Sequence, residues 1–121
     1  MVAVGGGLGS AARHAVNLLA LRRFEHSAVP WATGIVNLLG SALIGLLAGL
    51  IAGGHLRMSP SARTFVFVGL LGGFTTFSSF GLDTLTLVRE GRMGLALGNV
   101  LAQVGIGLLA VFAGYSAGAS R

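Results

Sequence analysis

The sequence predicts an all-α integral membrane protein of four transmembrane helices with a broken third helix, and three observations carry that expectation. Hydrophobic residues make up 54% of the 121-residue chain and charged residues 9%, with a mean hydropathy of +0.86, against roughly 25% charged residues in ordinary globular proteins. Four apolar stretches approach the ~20 residues an α-helix needs to cross the hydrocarbon core, and the connections between them leave no room for an extramembrane domain. Residues 72–81 (GGFTTFSSFG) place two adjacent glycines and four hydroxyls in the middle of one such stretch. Irregular backbone at membrane depth persists only where it is buried in protein or lines a wet cavity, because its N–H and C=O groups find no partners in lipid.

Residues 1–121 are expected to form one four-helix transmembrane domain. The first span, about 2–21, is the least hydrophobic, with Arg13, His14 and Asn17 inside it. It lacks a basic n-region and a small-residue cleavage site, so the spans themselves direct insertion. Its run GGGLGS at 5–10 has the glycines of a dinucleotide loop but no strand before it and no βαβ unit after it. A close helix contact at Gly5 and Gly9 is the expectation. The second span, about 31–52, opens on Trp31, an interfacial aromatic after Pro30, and repeats small residues every fourth position at Ser41, Gly45, Gly49 and Gly53. The third, about 64–87, holds the break, expected at 72–76, where the glycine pair invites the backbone to leave helical geometry. The fourth, about 95–115, ends at Tyr115, and Gly94 and Gly98 repeat the small-residue spacing.

The net charge of +5 comes from eight arginines, no lysine and three acids, Glu25, Asp83 and Glu90. The arginines are dispersed among apolar spans without interleaved aromatics, which argues against nucleic acid as a partner. With no cysteine, disulfide and thiolate chemistry are excluded. Placing the N-terminus, the second connection and the C-terminus on one side puts Arg57, Arg63 and Arg121 there, against Arg22, Arg23, Arg89 and Arg92 on the other. Arginine normally accumulates on the cytoplasmic side, so this near tie points to insertion both ways. Four short helices are also few for enclosing a pathway. An antiparallel homodimer follows, its broken third spans crossing at a two-fold axis. A monomer of fixed orientation, or a subunit with a different partner, is the alternative.

Arg13 well inside a span costs about 2.5 to 3.5 kcal/mol by insertion scales; it either faces a cavity or a partner, or snorkels to the interface. Thr33 and Asn37 share a face of the second span, and Asn99 and Gln103 a face of the fourth. Carboxamides are expensive in hydrocarbon unless paired, so these are either packing glue or, with Thr75, Thr76, Ser78 and Ser79, a polar track. The track is rich in donors and holds one acid, Asp83, just past the break, which suits an anion better than a cation. The positive ring edge of phenylalanine adds to this at Phe77 and Phe80, three residues apart.

GGFTTFSSF resembles the GGxTTFSTF signature of the bacterial fluoride-channel family (Fluc, also called CrcB). The likeness extends along nearly the whole chain: GGGLGSAARH is similar to the family's GGxxGAxxRY, TGIVNLLGS to its GTLxVNxxG, and EGRMGLALGNVL to the start of its fourth span. The resemblance implies a dual-topology antiparallel dimer in the bacterial inner membrane, either a homodimer or a heterodimer with a paralogue, with two fluoride pathways. It implies that Gly72 and Thr75 give backbone carbonyls from both subunits to one central, structural sodium ion (Na+). By the same carry-over Phe77 and Phe80 are the aromatic pair along the pore, Asn37 the vestibule donor, and Ser78 and Ser79 the hydroxyl track. Arg13 concentrates anions near an entrance, while Asn99 and Gln103 fall on polar fourth-span positions of variable type. The chain departs from the family pattern at 81–83, where Gly81, Leu82 and Asp83 replace Ser-x-Glu, and at Gln103, where serine is common.

The function these features imply is passive, fluoride-selective conduction out of the cytoplasm. A proton-coupled small multidrug transporter has a similar architecture but needs a first-span glutamate, and this span has Arg13 and no acid. A non-transporting scaffold accounts for the small-residue faces but not for the hydroxyl-rich break. No paired carboxylates, metal-ligand spacing or nucleophile with a base suggests an enzyme.

Overall fold

A computed structural model describes residues 1–120, and helix accounts for nearly all of them. Four helices follow one another: α1 (Val2–Arg23), α2 (Trp31–Ala52), α3 (Pro60–Arg89), which is bent, and α4 (Met93–Ala119). The last three are long and apolar enough to cross a membrane. At 22 residues α1 has the length, but its three arginines leave it less apolar.

Local sequence sets the helix ends. Pro30, which cannot donate, sits at the N-cap of α2. Gly54 and Gly91 take positive φ of 75° and 76° just after α2 and α3, the left-handed backbone that ends a helix at low cost only in glycine. Ser59 caps α3, its Oγ accepting the Ala62 N–H at 3.1 Å, with Pro60 in the first turn.

Packing uses backbone-on-backbone contacts, as expected where lipid removes any hydrophobic drive between helices. A side chain at Gly5 or Gly9 would strike the Phe65 or Leu70 carbonyl of α3, so the GGGLGS run is the close helix contact read from the sequence. Gly45 and Gly49 of α2 likewise meet the Val111 and Tyr115 carbonyls of α4, while Gly114 and Gly118 return the contact onto Ala42 and Leu46. Gly94 and Gly98 differ: nothing lies within 4 Å of the space their side chains would fill. Their spacing matches that of Gly5 and Gly9, but among the described residues no helix covers that face.

Met1 and Val2 line a hollow with Pro60, Ser61 and Thr64, and His55 Nε2 lies 2.8 Å from the Ser120 carbonyl. The N-terminus, the second connection and the C-terminal end of α4 therefore share one side. Arg121, counted on this side, lies outside the described residues.

The break in α3 falls at the end of the expected 72–76 stretch, past its glycines. Thr64–Leu71 is π-helical and Gly72–Phe74 continues as α-helix, with Gly72 at φ −62°, ψ −37°. The residues that leave the helix are Thr75 (φ −82°, ψ 158°) and Thr76 (φ −149°, ψ 117°), both extended. Threonine suits this because its β-branched side chain is at ease in extended backbone and its hydroxyl caps the helical segment that resumes at Phe77: Thr76 Oγ1 accepts the Ser79 N–H at 3.1 Å. Gly73 serves packing instead, since a Cβ there would lie 2.6 Å from the Gly6 carbonyl oxygen.

Candidate functional site

Two extended residues inside a membrane helix leave backbone groups to satisfy, and Asn37 of α2 satisfies those of Thr76. Its Oδ1 accepts the Thr76 N–H at 2.8 Å, and its Nδ2 donates to the Thr76 carbonyl at 2.9 Å. The carboxamide thus pairs with the chain as a neighbouring strand would. The same Nδ2 donates its other proton to Gln103 Oε1 at 2.7 Å. Gln103 Nε2 donates to Asn99 Oδ1 at 2.8 Å, Asn99 Nδ2 to Thr84 Oγ1 at 3.0 Å, and Thr84 Oγ1 to the Phe80 carbonyl at 2.8 Å.

Backbone groups at both ends fix the polarity of this chain. Carboxamide nitrogen and oxygen are assigned from their partners, and the Thr76 N–H can only donate, so the atom of Asn37 facing it is oxygen. Each later orientation follows in turn, and the Phe80 carbonyl, which can only accept, agrees at the far end. The proton count is then determinate. Asn37 has spent both N–H groups on the protein, whereas Gln103 and Asn99 each keep one. Gln103 sits on a second π-helical turn, Ala102–Ile106.

The remaining sequence-selected residues divide between this chain and its surroundings. Phe77 and Phe80 are neighbours, ring centres 5.5 Å apart and planes tilted by 58°, but Phe80 is 8% exposed and Phe77 81%. Phe80 and Phe74 belong to the protomer's core, and Phe77 projects from it. Ser78 is exposed, its Oγ 3.3 Å from Thr76 Oγ1, and Ser79 is half-buried. Thr33 is buried and stands apart from the chain; it lines a hollow of about 390 Å³ with Ser79, Asp83, Asn17 and Glu25. A second hollow, about 340 Å³, opens on the break between Asn37, Ser41, Gly72, Thr75, Thr76 and Phe77. Arg13 is half-buried on α1, its Nε enclosed without a hydrogen-bond partner among the described residues.

Among the described residues no three His, Cys, Asp or Glu side chains gather as a metal site; the oxygens at the break are backbone carbonyls and the hydroxyls of Thr75 and Thr76. In an unbroken helix the Thr76 N–H would bond to the Gly72 carbonyl. Here it goes to Asn37, which leaves the Gly72 oxygen without its helical donor. Gly72 itself is exposed on the protomer surface. A carbonyl freed in this way suits a hard monovalent cation, as the unwound segments of transporters do.

Thr84 and Ser41 were not selected by the sequence reading. Thr84 looks like any threonine near a helix end until the turn at Gly91 brings Asn99 beside it. Ser41 follows Asn37 by one helical turn, a signal available in the sequence but absorbed there into the small-residue face.

The family model described as CrcB-like protein, Camphor Resistance (CrcB), matches residues 1–115. A protein of Methylobacillus flagellatus named fluoride-specific ion channel FluC is 44% identical over 115 residues, covering 95% of this chain and 89% of its own. Proteins of the same name from Paracoccus denitrificans and Rhizobium meliloti are 49% and 46% identical over 117 and 114 residues, covering 97% and 94% of this chain and 90% of each relative. The chain therefore belongs to the bacterial CrcB/FluC family of fluoride channels and is a multi-pass protein of the inner membrane.

Proposed function

We propose that this protein is a passive, fluoride-selective channel that lets cytoplasmic fluoride leave down its electrochemical gradient, and that it works as an antiparallel, dual-topology homodimer or with a paralogue as its partner. Family membership supports fluoride transport rather than catalysis. The observation that carries the finer reading is the helix break braced by Asn37, with donors and phenylalanines gathered around it. The near tie in flanking arginines and the exposure of Phe77 support a two-fold partner at the break.

In this reading Gly72 and Thr75 hold a structural sodium ion through their carbonyls, and the ion, when bound, supplies a fixed positive charge at the dimer centre. Fluoride moves beside Phe77 and Phe80, whose ring edges carry partial positive charge. Ser78, Ser79 and Thr33 offer hydroxyls in place of water. Gln103 and Asn99 each present the N–H their own chain leaves over, and Arg13 raises the local anion concentration at an entrance. An inside-negative potential favours exit by about 2.3 kcal/mol per 100 mV. All four helices span the bilayer as one domain.

The test is ion efflux from liposomes holding the purified protein. Rapid fluoride release with chloride retained is the expected result; release of neither ion, or proton-driven uptake of organic cations, overturns the reading.

A further inference from the structure

Ser41 stands one turn beyond Asn37 on α2 and lines two hollows at once. One is the hollow at the break; the other, about 230 Å³, lies against α4 and is lined by Ser41, Gln103, Val104, Gly107, Leu108 and Val111. A helical serine commonly returns its hydroxyl to the carbonyl four residues back, which here is that of Asn37. The half-buried Ser41 hydroxyl does not, and among the described residues it makes no hydrogen bond. Gly107 keeps the space open: a Cβ there would lie 3.8 Å from Ser41 Oγ, in ordinary contact.

Gln103 is the other polar residue of this hollow. Its Oε1 is occupied by Asn37 and one Nε2 proton by Asn99, so it has one N–H left to offer. The hollow therefore presents an N–H and an O–H between apolar walls, with no carboxylate and no free carboxamide oxygen. A cation would find one hydroxyl oxygen here, too few acceptors to replace its hydration shell, whereas a small anion can use both donors.

Building on the channel reading, we infer that Ser41 and the remaining N–H of Gln103 form a fluoride-binding site, with Ser41 a contact residue and Gly107 the residue that leaves it room. Three variants in proteoliposomes test this. Ser41→Ala removes one oxygen and no hydrogen bond of the protein, so its melting temperature and dimer content should match the original chain. Its fluoride efflux should fall roughly tenfold, the scale of one hydrogen bond to a charged group, with the half-saturating fluoride concentration raised. Ser41→Thr, which keeps the hydroxyl but adds a methyl to the same space, should conduct faster and half-saturate at lower fluoride than Ser41→Ala. Gly107→Ala should slow efflux by filling the space, with stability preserved. If the original chain conducts fluoride and Ser41→Ala matches it in rate and half-saturation, the site is overturned and the channel reading stands. If the original chain releases no fluoride, both fall together.

Discussion

Asn37 and the Thr76 backbone exchange two hydrogen bonds, 2.8 and 2.9 Å long, between α2 and the break in α3. One side chain thereby makes the interruption tolerable at membrane depth and frees the Gly72 carbonyl from its helical role. Asn37→Ala should remove both effects. It leaves the Thr76 N–H and carbonyl and the Gln103 carbonyl oxygen unpaired, at about 1–3 kcal/mol for each group that stays buried. Unfolding in a detergent or urea series should show a loss of at least about 2 kcal/mol by that scale, and fluoride efflux should fall with it. Asn37→Asp should be no better: one oxygen still accepts from Thr76, but the other faces two carbonyl oxygens. A variant of either kind with unchanged stability would show that the brace is not needed.

The course of the helices was legible because punctuation is local. Pro30, the Gly53–Gly54 pair and Gly91 fall at the helix ends, and 31–52 is the observed α2. The break was legible as an event within 72–76, but only its last two residues, Thr75 and Thr76, leave the helix. Glycine shows where a chain is free to leave helical geometry; where it does so here depends on Asn37, 39 residues earlier. The same holds for the polar residues. Spacing alone paired Asn99 with Gln103, but joining them to Asn37 and Thr84 requires the register between helices. Motif spacing also could not say which small-residue face has a partner within the protomer, since Gly5 and Gly9 are covered and Gly94 and Gly98 are not.

That difference gives a paired prediction. A methyl at Gly9 lands on the Leu70 carbonyl and 2.8 Å from the Phe74 nitrogen, and backbone cannot move aside as a side-chain tip can. Gly9→Ala should cost at least about 1–3 kcal/mol, the range for overpacking a tight contact, and lower the yield of folded protein. Gly98→Ala meets nothing in the protomer, so its fold should persist. Chromatography of Gly98→Ala at falling protein concentration then reads the partner: a dimer that dissociates earlier places a second chain on this face, and an unchanged dimer leaves the face to lipid.

Phe77 and Phe80 differ in burial while sharing one contact, so replacing each by Ile should separate packing from conduction. Phe80→Ile alters a core residue and should destabilise by about 1 kcal/mol or more, as other shape changes in cores do. Phe77, being 81% exposed in the protomer, should tolerate Ile without loss of protomer stability. Fluoride efflux should nevertheless fall in both, because the polar ring edge goes while the bulk stays. Normal efflux from a folded Phe77→Ile dimer would assign that ring to the partner contact alone.

Thr84 closes the polar chain far from the break, which makes it the place to ask whether the chain acts as one unit. Its hydroxyl accepts from Asn99 at 3.0 Å and donates to the Phe80 carbonyl at 2.8 Å. Thr84→Val keeps the branched shape and removes both bonds, so Asn99 loses the acceptor that holds its carboxamide in line for Gln103. The stability cost should be about 1–3 kcal/mol, the usual net value of two such bonds. If the chain positions Gln103, fluoride efflux should drop as well, although Thr84 itself lines none of the hollows at the break. Thr84→Ser, which restores the hydroxyl, should recover the rate. A Thr84→Val protein that is less stable yet conducts normally would confine Thr84 to helix packing, and the anion-facing groups would then be held in place by Asn37 alone.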